Sequence, residues 1–131
     1  MTNNVVVQIP CLNEESTIGD VVRGFKKKLP KAKVIVYDNN STDNSVKIAK
    51  KYGAEVFLVS KQGKGNVVRR MFEENINANF FIMIDADNTY DIANIKDILK
   101  KMQDENFDMM VAKRTVTYTH LRAHETPMYR V

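Results

Sequence analysis

The chain has 131 residues, of which 44% are hydrophobic and 27% are charged, and this balance excludes the disordered and fibrous classes. Its longest apolar runs are about five residues, far short of the roughly 20 that a membrane span needs. A single cysteine and the absence of a secretory-type N-terminus favour a cytoplasmic location. The net charge of +4 favours anionic substrates or an anionic membrane surface rather than nucleic acid, because the lysines are spread over helical segments as well as loops.

The first half of the chain alternates between strand and helix patterns. Residues 5–9 form an apolar run that Pro10 ends, and such runs are typical of strands buried in a parallel sheet. Apolar side chains then recur at helical spacing over residues 18–29. The same alternation continues with a predicted strand at residues 34–37 and a predicted helix at residues 46–52.

The second half repeats this alternation. Strands are predicted at residues 55–59, 80–84 and 109–112, and helices at residues 67–76 and 92–102. Strands that alternate with helices predict βαβ units with right-handed crossovers. We therefore predict an α/β fold of the Rossmann-like type, with an open, mainly parallel sheet and helices on both faces, truncated after the fifth strand.

The periodicity stops near residue 116, where the segment VTYTHLRAHETPMYRV begins. We expect residues 1–115 to form one domain and residues 116–131 to be an irregular, non-native tail. His120 and His124 are spaced so that both could bind one metal ion if they lie on a helix, but no further ligand pattern supports such a site.

Polar residues collect directly after each predicted strand. In chain order these clusters are Pro10, Asn13, Glu14 and Glu15; Asp38, Asn39 and Asn40; Gly63, Lys64 and Gly65; Asp85 and Asp87; Lys113 and Arg114. In an open parallel sheet, ligands bind in the crevice beyond the carboxyl ends of the strands. The sequence therefore predicts one ligand site on this rim.

The pair Asp85 and Asp87 indicates metal chemistry. Two carboxylates just past a buried strand can hold Mg²⁺ or Mn²⁺, which in turn neutralises a diphosphate. An Asp-x-Asp pair is also common in plain turns, and the motif alone does not separate the two interpretations. Its place beside the predicted Asp38 loop favours the metal site.

The loop that follows the second predicted strand has two interpretations. A residue among positions 41–43 is expected to cap the next helix. Asp38 stands at the strand tip, where its carboxylate can accept hydrogen bonds from the N–H groups of uracil or guanine. Pro10 and Asn13 fit a turn that brings backbone groups close to a ligand, although Pro10 also fits a simple strand end.

The segment KQGKGN opens the third predicted helix, where backbone N–H groups near Gly63 and Lys64 can meet phosphate or ribose oxygens. The alternative is a flexible turn. The segment is not a P-loop, because its Gly-Lys pair is not followed by Ser or Thr. A dinucleotide fingerprint is also disfavoured, since Val68 stands where a third glycine belongs.

Four segments in series, IPCLNEE, VYDNNSTDNS, QGKGNVVRR and MIDADNTY, resemble glycosyltransferase family 2 over residues 4–114. The resemblance implies a GT-A fold and transfer of a sugar, with inversion, from a UDP- or GDP-sugar. It is closest to the branch of dolichol- and polyprenyl-phosphate sugar synthases. This branch implies that the acceptor is a polyprenyl phosphate or another glycan acceptor. It also implies a role in cell wall or glycan biosynthesis at the cytoplasmic face of the membrane.

Carried over position by position, the resemblance assigns the nucleotide site to Pro10, Asn13, Glu14 and, against the base, Asp38. Asp85 then lies near the ribose and diphosphate, and Asp87 is the principal metal ligand. Asn39 and Asn40 depart from the Asp-Gly that is common at these places, so the base preference stays open. In the family, the acceptor side and often the catalytic carboxylate lie further along the chain, so we assign no catalytic residue and expect any membrane association there.

Two other classes remain as alternatives. A sugar-phosphate nucleotidyltransferase should carry a glycine-rich basic loop after its first strand, where this chain has IPCLNEE with two acids. A non-catalytic α/β binding or signalling module should show no preference for nucleoside diphosphates.

Overall fold

The computed structural model describes residues 4–74, 76–89, 91–106, 108–112 and 128–130, which fall into two compact units, residues 1–92 and residues 93–131. The first unit contains β1 (Val5–Cys11), α1 (Ile18–Lys28), β2 (Lys33–Asp38), α2 (Ser45–Lys51), β3 (Glu55–Leu58), α3 (Lys64–Glu73) and β4 (Phe80–Met83). The second unit contains α4 (Ile95–Asp104), β5 (Met110–Ala112) and β6 (Met128–Arg130).

The first unit is built on a four-stranded parallel sheet in the order β3-β2-β1-β4. The chain moves in one direction from β1 through β2 to β3, and α3 then carries it back past β1 to β4. Because such crossovers are right-handed, this reversal places α3 on the opposite face of the sheet from α1 and α2. The predicted α/β fold with a parallel sheet is confirmed.

The two faces of the sheet bury separate sets of apolar side chains. On one face, Val6, Ile35 and Tyr37 form a cluster with Val67 and Met71 of α3. Alternate side chains of a strand point to opposite faces, so the neighbouring positions of β1 and β2 face the other side. There α1 contacts β2 and α2 contacts β3, and the fully buried apolar side chains from these helices are Ile18, Val22, Phe25 and Ala49.

The packing of α1 against α2 depends on a glycine. A Cβ atom at Gly19 would lie 2.9 Å from the ring of Tyr52 and 3.1 Å from the side chain of Ile48. We expect Gly19→Ala to lower the free energy of unfolding by about 1–2 kcal/mol, because overpacking outweighs the gain in helix propensity. Gly65 in α3 is the matched control, since a Cβ there meets nothing within 4 Å. Urea denaturation should show Gly65→Ala neutral or stabilising, and equal effects at both glycines would contradict the packing argument.

The predicted fifth strand exists but was wrongly assigned to the parallel sheet. In the described residues, β5 pairs antiparallel with β6 in a separate two-stranded sheet. The strand has only three residues, and its pairing partner lies beyond residue 127, so local periodicity carried no information about the pairing. β6 itself falls where the sequence predicted an irregular tail.

Several predicted features lie outside the described residues. They are Lys113 and Arg114 at the end of the fifth strand, the pair His120 and His124, and the rest of residues 116–127. The interpretation of residues 116–131 as a non-native tail stays a prediction. Within the part of the chain that is described, no helix is both long and apolar enough to cross a membrane.

Candidate functional site

A pocket opens at the carboxyl ends of β1 and β4, where the strand order reverses. Six residues that the sequence placed in the site line this pocket, namely Pro10, Glu14, Asn39, Lys64, Asp85 and Asp87. In open α/β sheets, the reversal point is where ligands bind. The remaining lining side chains were not predicted from the sequence and are mostly apolar, namely Cys11, Leu12, Val67 and Ala86.

The segment after β4 is fixed in place from two sides. The N–H of Ile84 donates to the carbonyl of Gln8 at 3.2 Å, which extends the pairing of β4 with β1. Thr17 holds the N-cap position of α1, but its hydroxyl donates to the carbonyl of Ala86 at 2.7 Å instead of capping the helix. The loop that carries Asp85 is therefore tied to the sheet and to the start of α1.

Asp85 and Asp87 have different surroundings. Oδ1 of Asp85 accepts a hydrogen bond from the Lys64 ammonium at 3.0 Å, and this side chain is 29% exposed. Oδ1 of Asp87 accepts from the N–H of Thr89 at 3.2 Å and from its hydroxyl at 2.7 Å. The two carboxylates thus reach the same pocket with their orientations set by different partners.

The donor atoms in the pocket fit a hard divalent cation. Among the described residues, no group of three or more His, Cys, Asp or Glu side chains is placed to hold a metal ion alone. Mg²⁺ is usually held by one or two carboxylates together with water and substrate phosphates. Asp85 and Asp87 supply that number of carboxylates, so the site fits a metal that shares its coordination with a phosphate-bearing ligand.

Asp38 is almost fully buried at the end of β2, with 3% of its surface exposed. Its Oδ1 accepts from the Ser41 hydroxyl at 2.6 Å and its Oδ2 from the Ser41 N–H at 3.0 Å. Asp38 does not line the pocket. Its carboxylate shapes the loop that follows β2, a role that the sequence did not reveal.

Asn39 joins two of the predicted site loops. Its side-chain N–H groups donate to the carbonyls of Val59 and Lys61, both at 2.9 Å, and its Oδ1 accepts from the N–H of Gly63 at 2.9 Å. Asn40 adds exposed bonds to Ser60 and Gln62. These contacts set the path of the chain into α3.

Gly63 is the N-cap residue of α3 and has a φ of 123°. This value lies in a region that L side chains rarely adopt, which explains the glycine. Gly63 does not line the pocket, whereas Lys64, the first residue of α3, does. The glycine therefore acts by setting the turn that presents Lys64.

The loop after β1 is bonded to the loop after β2. Asn13, with a φ of 52°, accepts at Oδ1 from the N–H of Thr42 at 2.8 Å and from the N–H of Asp43 at 3.3 Å. The N–H of Glu14 donates to the Ser45 hydroxyl at 2.8 Å. Asn13 does not line the pocket, so its side chain holds these two loops together while Glu14 reaches the pocket wall.

Helix α2 begins at Ser45, slightly later than a cap within residues 41–43 would place it. Asn44 holds its N-cap position without a side-chain cap, whereas the carboxylate of Asp43 accepts from the N–H of Ser45 at 2.9 Å. Burial raises the pKa of Asp43, but hydrogen bonds from Ser45 and from Glu15 outweigh this effect and hold the pKa below its ordinary value. The predicted cap within residues 41–43 is therefore wrong, because the N-cap is Asn44 and Asp43 bonds to the N–H of Ser45 from one residue before the cap.

Cys11 is buried at the end of β1. The pKa of its thiol is raised from 9.0 to about 11, mainly by burial, while a hydrogen bond with Ser45 lowers it and the Asp38 carboxylate adds to the increase. The folded chain therefore holds this proton more tightly than the unfolded chain. The resulting stability is complete below about pH 9 and is lost as the pH rises through 11.

We expect the stability that wild type has over Cys11→Ala to shrink by about 2 kcal/mol between pH 8 and pH 11. Urea denaturation of both proteins at the two pH values measures this difference. Burial also raises the pKa of Tyr37, but that contribution is common to both proteins and cancels. A difference that does not change with pH would contradict the assignment to Cys11.

The family model described as glycosyl transferase family 2 matches residues 6–127. Protein RfbJ of Shigella flexneri is 41% identical over 111 residues, which cover 85% of each chain. Glycosyltransferase AglJ of Haloferax volcanii is 34% identical, with 84% of this chain matching 36% of that protein. The chain thus spans most of RfbJ but only about a third of AglJ. The family match runs past residue 115, where the sequence predicted the domain to end.

Solved structures agree with the fold. Glucosyl-3-phosphoglycerate synthase from Mycobacterium tuberculosis, in complex with Mn²⁺, UDP-glucose and phosphoglyceric acid, matches with a TM-score of 0.57 and 26% identity. That match covers 65% of this chain and 33% of the synthase. A further mycobacterial protein has a TM-score of 0.70 at 22% identity over 85% of this chain and 40% of its own, which shows a shared fold alone.

Proposed function

This chain belongs to glycosyltransferase family 2, and on that basis we propose that it binds the nucleoside diphosphate of a UDP- or GDP-sugar together with Mg²⁺ or Mn²⁺ for inverting sugar transfer. The observation that carries the proposal is the meeting of Asp85, Asp87 and Lys64 in one pocket at the strand ends. Two carboxylates and an ammonium group there match a metal diphosphate in charge and in ligand type. Membership in a glycosyltransferase family supports sugar transfer over both alternatives, the nucleotidyltransferase and the non-catalytic module.

Asp85 and Asp87 are the residues that would hold the metal ion. A divalent cation at this place neutralises the diphosphate, which is the leaving group in sugar transfer. Lys64 and the first turn of α3 supply further positive charge, because the N-terminus of a helix attracts phosphate groups. The similar synthase was solved with Mn²⁺ and UDP-glucose, which supports a divalent metal and a nucleotide sugar as the ligands.

We assign the base side of the site to Asp38, with Pro10 and Glu14 along the wall. Each carboxylate oxygen of Asp38 accepts one bond from Ser41 and has a second lone pair for a base N–H. Because Asp38 is almost fully buried and does not line the pocket, a base reaches it only after a shift of the loop after β2. Asn13 and Gly63 act indirectly, by holding the loops that form the pocket.

The proposed acceptor carries a phosphate group, as phosphoglyceric acid does in the similar synthase complex. A polyprenyl phosphate at the cytoplasmic face of a membrane fits this description, and a glycan is the alternative. In a polyprenyl phosphate the phosphate itself is the nucleophile and is already anionic, which lessens the need for a general base. No residue of this chain is assigned as a catalytic base.

Calorimetric titration of the purified chain with UDP and with GDP, in Mn²⁺ and in EDTA, tests the proposal. We expect one nucleotide to bind with Mn²⁺ and to lose most of its affinity in EDTA. Stronger binding of a nucleoside triphosphate would instead favour the nucleotidyltransferase. No binding of either diphosphate by folded protein would reject the proposal for this chain.

A further inference from the structure

One carboxylate of the proposed metal site already faces a cation that the chain itself supplies. The ammonium of Lys64 lies 3.0 Å from Oδ1 of Asp85, across 21 residues of sequence. We propose that Lys64 is an internal counter-ion that competes with the divalent metal for Asp85 and transfers to the diphosphate when nucleotide and metal enter together. This inference rests on the proposed function and adds a coupling between metal binding and nucleotide binding.

The competition follows from the distances involved. A metal ion such as Mg²⁺ binds a carboxylate oxygen at about 2.0–2.1 Å, so it would take the space next to the oxygen that the Lys64 ammonium now approaches. A divalent and a monovalent cation on one oxygen repel each other. Metal binding at Oδ1 of Asp85 therefore requires the ammonium to move away.

The Lys64 side chain is able to move, and a bound diphosphate would attract its ammonium group. Its side chain is 68% exposed, so little packing holds the ammonium in place, and an ion pair this exposed contributes little to stability. Lys64 is also the first residue of α3, where the helix N-terminus favours an anion. A diphosphate bound there gives the displaced ammonium a new partner.

The consequence is a coupling between metal and nucleotide beyond their direct contact. Without nucleotide, the metal must displace the Lys64 ammonium from Asp85, and no phosphate is present to replace this contact. With nucleotide, the same displacement is compensated by the phosphate. Lys64 thus suppresses binding of the metal alone and supports binding of the metal with the diphosphate.

The test is Lys64→Met, with Lys61→Met as the matched control. Lys61 is an exposed lysine of the same loop, does not line the pocket, and its removal changes the net charge equally. Mn²⁺ binding without nucleotide is followed by the electron paramagnetic resonance signal of free Mn²⁺. We expect Lys64→Met to bind Mn²⁺ about three- to tenfold more tightly than wild type, while its affinity for UDP or GDP at saturating Mn²⁺ falls about tenfold.

Lys64→Arg, which keeps the cation, should retain the weak Mn²⁺ binding of the wild type. Unchanged or weaker Mn²⁺ binding by Lys64→Met would overturn the inference, as would an equal gain in Lys61→Met. If wild type binds nucleotide with Mn²⁺ but Lys64→Met does not bind Mn²⁺ more tightly, the proposed function stands and the counter-ion role of Lys64 is rejected. If wild type binds no nucleotide with Mn²⁺, the proposed function fails and the inference fails with it.

Discussion

Asp87→Ala is expected to abolish metal-dependent nucleotide binding, with the Kd for UDP or GDP in Mn²⁺ rising roughly a hundredfold or more. The reason is that Asp85 and Asp87 are the proposed metal ligands, and among the described residues no group of three or more acidic, His or Cys side chains is placed to hold a metal ion. Losing the Asp87 carboxylate leaves Asp85 as the single proposed protein ligand of the metal ion. Calorimetry with the preferred nucleotide measures the change.

Two further variants separate metal binding from local folding. Asp87→Asn keeps an oxygen that can accept from the N–H and hydroxyl of Thr89 but loses the charge, so it should bind almost as poorly as the alanine variant. Asp97→Ala, in α4 and outside this pocket, changes the net charge equally and should bind as wild type does. Normal affinity in Asp87→Asn would exclude Asp87 as a principal metal ligand.

The second large effect is expected at Asn39, which is 3% exposed and makes three side-chain hydrogen bonds. Replacing it with alanine leaves the carbonyls of Val59 and Lys61 and the N–H of Gly63 without this partner. A buried polar group that loses its partner costs about 1–3 kcal/mol, so we expect Asn39→Ala to lower the free energy of unfolding by about 2–4 kcal/mol. Urea denaturation measures this loss.

The same substitution should weaken nucleotide binding, because the path from β3 into α3 would no longer be fixed. Asn40→Gly is the matched control. It removes two exposed hydrogen bonds to the same loop but tolerates the φ of 70° found at Asn40. We expect its cost to stay below about 1 kcal/mol. Similar losses in the free energy of unfolding for Asn39→Ala and Asn40→Gly would show that burial of the side chain does not determine the loss.

Most of the fold could be predicted from the sequence because its signals are local. Apolar runs such as residues 5–9 mark strands that are buried on both faces, and the 3.6-residue period over residues 18–29 marks α1. Helix and strand boundaries agree with the structure to within a few residues. The pairing of β5 with β6 was missed, because partner choice depends on contacts between distant segments that no local period encodes.

The sequence by itself determined the α/β order, the family and the rim on which the polar residues collect, since parallel strands bring their carboxyl ends to one edge. Only the tertiary structure decided what each polar residue does. Asp38 bonds to Ser41, Asn39 to the loop before α3, and Lys64 to Asp85. The last two contacts join residues about twenty positions apart, and hydrogen bonds at such separations depend on distances of a few ångströms that only packing sets.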